Sequence, residues 1–471
     1  MYKSEKLVHQ IKQLIENGSY SPHTKLPSIR VQAEISGYSL MTVLNAYQLL
    51  VAEGRVYSKE KSGFFVAESY TPKTVNDSYT SGPQTVKINS KVFSYLKATQ
   101  RLDQLYFSSA FPDEKCLYNA KIMRILATYA QKKPIDGINK NMPPGNAKLR
   151  QQIANRYNIQ GIPTHANDII ITSGALDALN LSLQTLTTPG DYILLQDTIF
   201  YGAWQAAERL GLHVITLPTD MQYGFDLEAF KNILSTYPIK VCWFMLNSHN
   251  PIGFTVQDEI KKKIAELLQQ HDVYLIEDDT YHELYYAGHR PLPMCYFLNN
   301  EKVLHCSSFS KVLGANIRIG WVRTTHFSEK IQHLQFMSTL SANTLIQSTL
   351  ADFIATPYYD KHLQQLRKQL YQRKNNLYRL LSKHIPKECH IHYYSSGYFL
   401  WIELPQNINS IDLFNILIEK NIGITPSHLF NIDQSPQNYL RINSSFELTP
   451  THEQALYILC NTISQLINKR D

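Results

Sequence analysis

The chain has 471 residues; at roughly 100 to 200 residues per domain, this excludes a single small module and asks for one large domain plus a smaller one, or three of ordinary size. Hydrophobic residues make up 44% and charged residues 18%, with 19 Gly, 21 Pro and 30 Tyr, a globular composition that is neither disordered nor fibrous. A net charge of +7 over so long a chain permits an anionic partner without requiring one, so any basic surface has to be local. The six cysteines lie far apart with no CxxC pair, which argues against a disulfide framework or a cysteine zinc site. The opening run carries charge inside its apolar pattern, unlike a signal peptide. No stretch reaches the roughly 18 apolar residues of a membrane span, so a cytoplasmic protein with no membrane partner is expected.

The first segment has a helical period, with Leu7, Ile11, Leu14 and Ile15 on one face and a stop at Asn17-Gly18. After the turn-rich SYSPHTK, Ser28 can cap a short helix that closes at Ser36-Gly37. In a third helix, capped by Ser39, Val43, Ala46, Tyr47 and Leu50 share a face, and Glu53-Gly54 ends the run. Two β-like runs, Arg55 to Ser58 and Phe64 to Ala67, flank the turn KEKSG. Three helices and a two-stranded wing make a winged helix-turn-helix over residues 1–68.

Residues 69–100 read as a linker, since Thr, Ser, Pro, Asn and Lys predominate over about 71–90 without an apolar period. Residues 101–471 form the second domain, whose large part runs to about 360. There, strand-like runs alternate with helical ones: DIIITSG then ALDALNLSLQTL, DYILLQD then YGAWQAAERLG, KVCWFMLN then DEIKKKIAELLQQH, and VYLIEDD and KVLHCSSFS. This alternation predicts a largely parallel α/β sheet. From about 361 a long polar helix, then GYFLWIEL and YLRINSSF, predict a small C-terminal α+β subdomain.

Open α/β sheets bind ligands beyond the carboxyl ends of their strands, where most polar clusters of this half fall. Ser173-Gly174-Ala175 can bring backbone N–H groups to an anion or be an ordinary tight turn. Asn250-Pro251-Ile252-Gly253 can be a plain turn. Glu277-Asp278-Asp279-Thr280-Tyr281 ends an apolar run, where clustered acids call for a metal or a protonated ring nitrogen unless the loop is solvated. Ser307-Ser308-Phe309-Ser310-Lys311, followed by Arg318, offers hydroxyls and a guanidinium for a phosphate beside a lysine that burial could make nucleophilic; a surface lysine is the bland alternative. Arg441 lies in an apolar run, where a guanidinium pairs with a carboxylate, in a ligand or in a structural salt bridge.

In this order and spacing the clusters resemble the fold-type I pyridoxal 5′-phosphate enzymes of the aspartate aminotransferase group, over roughly residues 105–465. The cofactor requires a lysine Schiff base and an acidic partner for its pyridine nitrogen. The resemblance implies that Lys311 carries it and that Asp278, three residues before Tyr281, keeps the ring nitrogen protonated, Asp279 being the weaker match. By the same resemblance Tyr281 and Asn250 hydrogen-bond the phenolic oxygen, and Ser173, Gly174, Ala175, Ser308, Ser310 and Arg318 hold the phosphate. Phe200 in DTIFYGAW falls where an aromatic ring stacks on the cofactor, with Tyr201 as the alternative. Arg441 matches the arginine that grips an α-carboxylate, which implies an amino acid or close analogue.

KLPSIR, SLMTVLNAYQLLVAEG and SGFFVAE are similar to the GntR-type winged helix; a helical appendage used for dimerisation is the alternative reading. The likeness implies a third helix in the major groove, phosphate contacts from Ser28, Arg30 and Thr42, base contacts from Ser39 and Asn45, and wing contacts from Lys59 and Lys61. Leu40 stands where that family usually has Arg. Residues 1–68 hold eight Lys and Arg against six Glu, a net of only +2, so a dimer on two half-sites is expected. Together the two likenesses identify the chain as similar to the MocR/GabR regulators, with NPIG replacing the commoner NPTG as a mild variation. The implied function is a homodimeric regulator that binds operator DNA and senses an amino acid or amine through a Schiff base at pyridoxal phosphate. Two rivals are a working aminotransferase with a vestigial winged helix and a regulator whose effector is the cofactor itself.

Overall fold

The computed structural model describes residues 3–16, 20, 23–52, 55–59, 62–67, 82–84, 87–100, 105, 107–132, 141–221, 223–286, 290–298, 301–431 and 438–468. The described chain separates into a small unit within residues 1–78 and a large one spanning 79–286 and 290–471.

In the small unit, helices α1 (Lys3–Glu16), α2 (Ile29–Ser36) and α3 (Leu40–Ala52) precede a hairpin of β1 (Val56–Lys59) and β2 (Gly63–Val66). The Ser28 hydroxyl accepts from the Val31 amide at 3.3 Å and so caps α2, which ends at Gly37 in the left-handed region with φ 67°. Ser39 accepts from the Thr42 amide at 3.2 Å. Leu7, Val8 and Ile11 pack with Val43, Ala46, Tyr47 and Leu50 in a small apolar core. The buried stripe of α1 is centred between Leu7 and Val8, which turns Leu14 outward, 37% exposed, against the sequence expectation. The wing also has a third strand-like rung. His23 N donates to Val66 O, Val66 N to Thr24 O and Leu26 N to Phe64 O, each at 2.9 Å. Residues 23–26 are thus paired backbone and not free turn, because the inner edge of β2 would otherwise carry unpaired N–H and C=O groups. The expected stops at Asn17-Gly18 and Glu53-Gly54 lie outside the described residues.

In the large unit, β3 (Ile169–Thr172), β4 (Tyr192–Gln196), β5 (His213–Leu217), β6 (Ile239–Phe244), β7 (Tyr274–Asp278), β8 (Val303–Ser308) and β9 (Gly320–Arg323) form one sheet ordered β3-β9-β8-β7-β6-β4-β5. β9 is antiparallel to both neighbours and the remaining pairings are parallel. Helices on the faces bury β3 and β8 along their whole length, which is why these strands read as continuous apolar runs. Helix Pro357–His384 leads into a four-stranded antiparallel sheet of β10 (His390–His392), β11 (Phe399–Glu403), β12 (Thr425–Pro426) and β13 (Tyr439–Asn443), ordered β10-β11-β13-β12. That helix starts ahead of the expected Lys361.

The stretch expected to be linker contains a helix, α4 (Asn89–Ala98), with Val92 and Tyr95 buried. Its apolar face packs within the large unit, so this part of 69–100 is structure and not tether; residues 69–81 lie outside the described residues.

Candidate functional site

The carboxyl ends of β3, β7 and β8 bring the expected residues to one side of the sheet. Asp278 is the last residue of β7, Ser308 the last of β8, and Lys311 follows on the short helix Ser310–Leu313. Lys311 is buried, and its Nζ donates to Ala110 O at 2.7 Å and lies 3.7 Å from the Phe111 ring centroid. Burial, helped by the nearby Arg441 cation and opposed by Asp278, brings its pKa down to about 7. A near-neutral amine in a low-dielectric site is a nucleophile.

The two adjacent aspartates have different surroundings. Asp278 accepts from its neighbour Thr280, from Oγ1 at 2.6 Å and from the amide at 3.4 Å. Burial pushes its carboxyl up to about 6, against the Thr280 hydrogen bonds and with help from the Asp279 charge. Such a group gains from an approaching cation. Asp279 is already satisfied: it accepts from Asn247 Nδ2 at 3.0 Å and pairs with His305 Nε2 at 2.9 Å. Burial works against its ionisation, but His282, His305 and Asn247 outweigh it and hold this carboxyl well below the usual range.

Arg441 on β13 reaches the same place from the second sheet. Its Nη1 donates to Asn250 Oδ1 at 2.7 Å and its Nη2 to Ser108 O at 2.7 Å and Thr425 Oγ1 at 3.2 Å. The buried Nε has no partner among the described residues, and none of their carboxylates lies within ion-pair distance. The guanidinium is flanked by the rings of Phe399 at 4.4 Å and Phe430 at 5.1 Å. A buried guanidinium held only by neutral acceptors is poised for an incoming carboxylate. Asn250 joins it to Tyr281, its Nδ2 donating to the phenol oxygen at 3.4 Å. Burial raises the Tyr281 hydroxyl pKa, so the phenol is protonated at neutral pH.

Gly174, with φ 103°, precedes helix Ala175–Leu186, in a conformation that favours glycine. A Cβ on Gly174 would stand 3.2 Å from the Arg318 guanidinium, and one on Gly320 would stand 2.7 Å from Ala175 N. Arg318 Nη2 donates to Ser173 O at 3.1 Å, while Ser173 N donates to Asp177 at 2.9 Å. The buried hydroxyls of Ser308 and Ser310 have no partner among the described residues. Ser307 differs, donating to Asp279 O at 3.0 Å. Phe200 and Tyr201 lie against each other with ring centroids 4.6 Å apart, and Tyr201 is the one that faces Phe430, at 6.4 Å.

In the small unit Arg30, Ser39, Asn45 and Lys59 are exposed, while Ser28 serves as the α2 cap and the Ser39 and Thr42 hydroxyls bond each other at 2.8 Å. Leu40 and Met41, 52% and 65% exposed, open the third helix. Lys61 lies outside the described residues.

Residues 128–453 match the family of class I and II aminotransferases, and residues 3–66 the bacterial regulatory proteins of the gntR family. Over 467 residues, 99% of this chain and 100% of the relative, the sequence is 41% identical to the uncharacterized HTH-type transcriptional regulator YdcR of Escherichia coli.

The chain belongs to the class I and II aminotransferase family, fused to a gntR-type head.

A second HTH-type regulator of Escherichia coli, YjiR, is 30% identical over 97% of both chains. Among solved structures, the α-aminoadipate aminotransferase LysN of Thermus thermophilus, complexed with N-(5′-phosphopyridoxyl)-L-leucine, shares the fold with a TM-score of 0.73 and 22% identity over 81% of this chain and 96% of that one. The chain is therefore a transcriptional regulator with an aminotransferase-like body. Sequence reasoning assigned no role to several groups of that body that touch the expected residues: the Ser108 and Ala110 carbonyls, Thr280 and Thr425. Two are backbone atoms with no side-chain signature, and two are threonines whose role depends on a partner distant in sequence or on a local turn. No described helix is long and apolar enough to cross a membrane.

Proposed function

We propose that this regulator binds operator DNA through residues 1–68 and senses an amino acid or amine at pyridoxal 5′-phosphate carried on Lys311. The observation that carries the reading is the joint state of Lys311 and Arg441. One is a buried amine brought down to about 7, and the other a buried guanidinium held by Asn250, Ser108 and Thr425 with no carboxylate partner among the described residues. When bound, the cofactor supplies an aldehyde that condenses with amines and a ring that withdraws electrons. The surrounding groups fit it. The unpartnered Ser308 and Ser310 hydroxyls, with Arg318 beside Gly174, offer donors to a phosphate. Asp278, whose own partner is Thr280, offers a carboxylate to a protonated ring nitrogen, whereas Asp279 is occupied by Asn247 and His305. Tyr281 and Asn250 offer hydrogen bonds to a phenolic oxygen.

In this reading Lys311 would hold the cofactor, whose aldehyde would be open to an incoming amine, while Arg441 would hold the ligand carboxylate. DNA affinity changes to the extent that the ligand distinguishes the DNA-bound from the free arrangement, typically about 1–3 kcal/mol of coupling. A cytoplasmic homodimer whose two winged helices meet two half-sites accommodates the small charge of residues 1–68. The same side chains would serve a transferase, so turnover is tested alongside. In single-turnover assays with each of the twenty L-amino acids, a regulator gives a spectral change without keto acid release, and a working aminotransferase releases keto acid.

A further inference from the structure

α4 is the first described helix of the large unit after residues 69–81, and it is hydrogen-bonded toward the ligand site at two places. At its start, the amides of Ile88 and Asn89 donate to Glu208 at 2.5 and 2.9 Å, and Gln205 Nε2 donates to Asn89 Oδ1 at 3.1 Å. Glu208 and Gln205 belong to helix Tyr201–Arg209, which begins next to Phe200. In its middle, the buried hydroxyl of Tyr95 lies 3.0 Å from Thr425 Oγ1 and 3.4 Å from Ile424 O.

The roles at Thr425 can be assigned. Its hydroxyl has one hydrogen and two lone pairs, and the hydrogen goes to Ser108 O at 2.9 Å. Tyr95 is therefore the donor to Thr425, and the second lone pair accepts from Arg441 Nη2 at 3.2 Å. Both hydrogens of Nη2 are in use, the other going to Ser108 O. A carboxylate grips a guanidinium bidentately through Nη1 and Nη2 or through Nε and Nη2, and either fork takes an Nη2 hydrogen. A bidentate ligand thus displaces Ser108 or Thr425 as acceptor, and the hydrogen bonding of Tyr95 must readjust. A groove of about 610 Å³ lies beside the helix, lined by Ser94, Tyr95, Ala98, Ile411, Phe414 and His428 among others.

The geometry points to Tyr95 and Thr425 as positioning residues that couple carboxylate binding at Arg441 to α4, and through α4 to the linker leading to the winged helix. This rests on the sensing reading above. The test is hydrogen exchange of residues 89–98 in the full-length, pyridoxal phosphate-loaded protein, with and without each of the twenty L-amino acids, alongside the visible spectrum. An amino acid that alters the spectrum should change exchange across 89–98 on the order of tenfold. In Tyr95→Phe the spectral change should persist while the exchange change is lost. Thr425→Val should lose the exchange change too, and Thr425→Ser, which keeps the hydroxyl, should retain it. An exchange response as large in Tyr95→Phe as in the unaltered protein overturns the relay while leaving sensing intact. If no amino acid alters the spectrum of the unaltered protein, the sensing of an L-amino acid falls, and the relay, which needs a carboxylate at Arg441, falls with it.

Discussion

At the strand ends of the large unit, Lys311, Asp278, Tyr281, Asn250 and Arg441 are buried and bonded to one another or to nearby backbone, whereas on the winged helix Arg30, Asn45 and Lys59 stand in solvent. Burial is what gives the first set its chemistry, since it brings Lys311 down to about 7 and pushes Asp278 up to about 6. The proposed role of the second set asks for exposure instead, because phosphate and base contacts are made by donors that solvent can reach. It follows that substitutions in the large unit should act on ligand chemistry with little effect on basal DNA affinity, and that those in the winged helix should do the reverse.

The largest effect is expected from Lys311→Ala. It should abolish the visible absorbance of the loaded protein and the response of DNA binding to amino acids, while basal DNA affinity stays within about a few-fold. An unchanged DNA response to amino acids would show that sensing does not run through Lys311. Next comes Arg441→Lys, which removes the fork. Carboxylate ligands should weaken by the roughly 1.5–3 kcal/mol of a hydrogen bond to a charged group, about 10- to 100-fold, with much less change for an amine lacking a carboxylate; titration of both ligand types decides. Cofactor uptake should depend on pH. The neutral amine of Lys311 is the nucleophile and its pKa is about 7, so the uptake rate of the apo-protein should fall about tenfold per pH unit below 7 and level off above it. A rate still climbing steeply at pH 9 would place the lysine near its ordinary value.

On the DNA side, Arg30→Ala and Lys59→Ala should weaken binding about equally on all sequences and lower the salt slope by about 0.9 for each phosphate no longer neutralised. Leu40→Arg, which adds a cation at the start of the third helix, should do the opposite. The smallest effect is Ser28→Ala. Losing the α2 cap should cost about 0.5–1 kcal/mol of stability, seen as a lower Tm of the winged helix with cofactor binding unmoved.

Much of this was legible in the sequence because burial leaves a pattern. The uninterrupted run of Ile169–Thr172 and the alternation of such runs with amphipathic segments announce a parallel sheet, and polar clusters at their ends mark where a ligand belongs. β5 and β9 escaped notice since His213–Leu217 and Gly320–Arg323 lie inside runs with other signals. The helix at Asn89–Ala98 escaped because its apolar residues do not share one face, Val92 and Tyr95 being buried while Phe93 and Leu96 are exposed, and the Tyr95 partners Phe414 and Thr425 are far away in sequence. Residues 23–26 were hidden by turn-forming neighbours. Within the site, the spacing of Asp278 to Tyr281 already favoured Asp278 over Asp279, but the partners that occupy Asp279, Asn247 and His305, are distant in sequence and carry no local signal.

The most direct test of ligand-controlled DNA binding is a mobility shift of the pyridoxal phosphate-loaded, full-length protein on the DNA upstream of its own gene, repeated with each L-amino acid and with free pyridoxal phosphate. The expected result is a salt-sensitive, sequence-specific shift altered by a particular amino acid in the unaltered protein and not in Lys311→Ala. No specific shift, together with steady conversion of an amino acid to its keto acid, would contradict it and make the chain an aminotransferase with an idle winged helix.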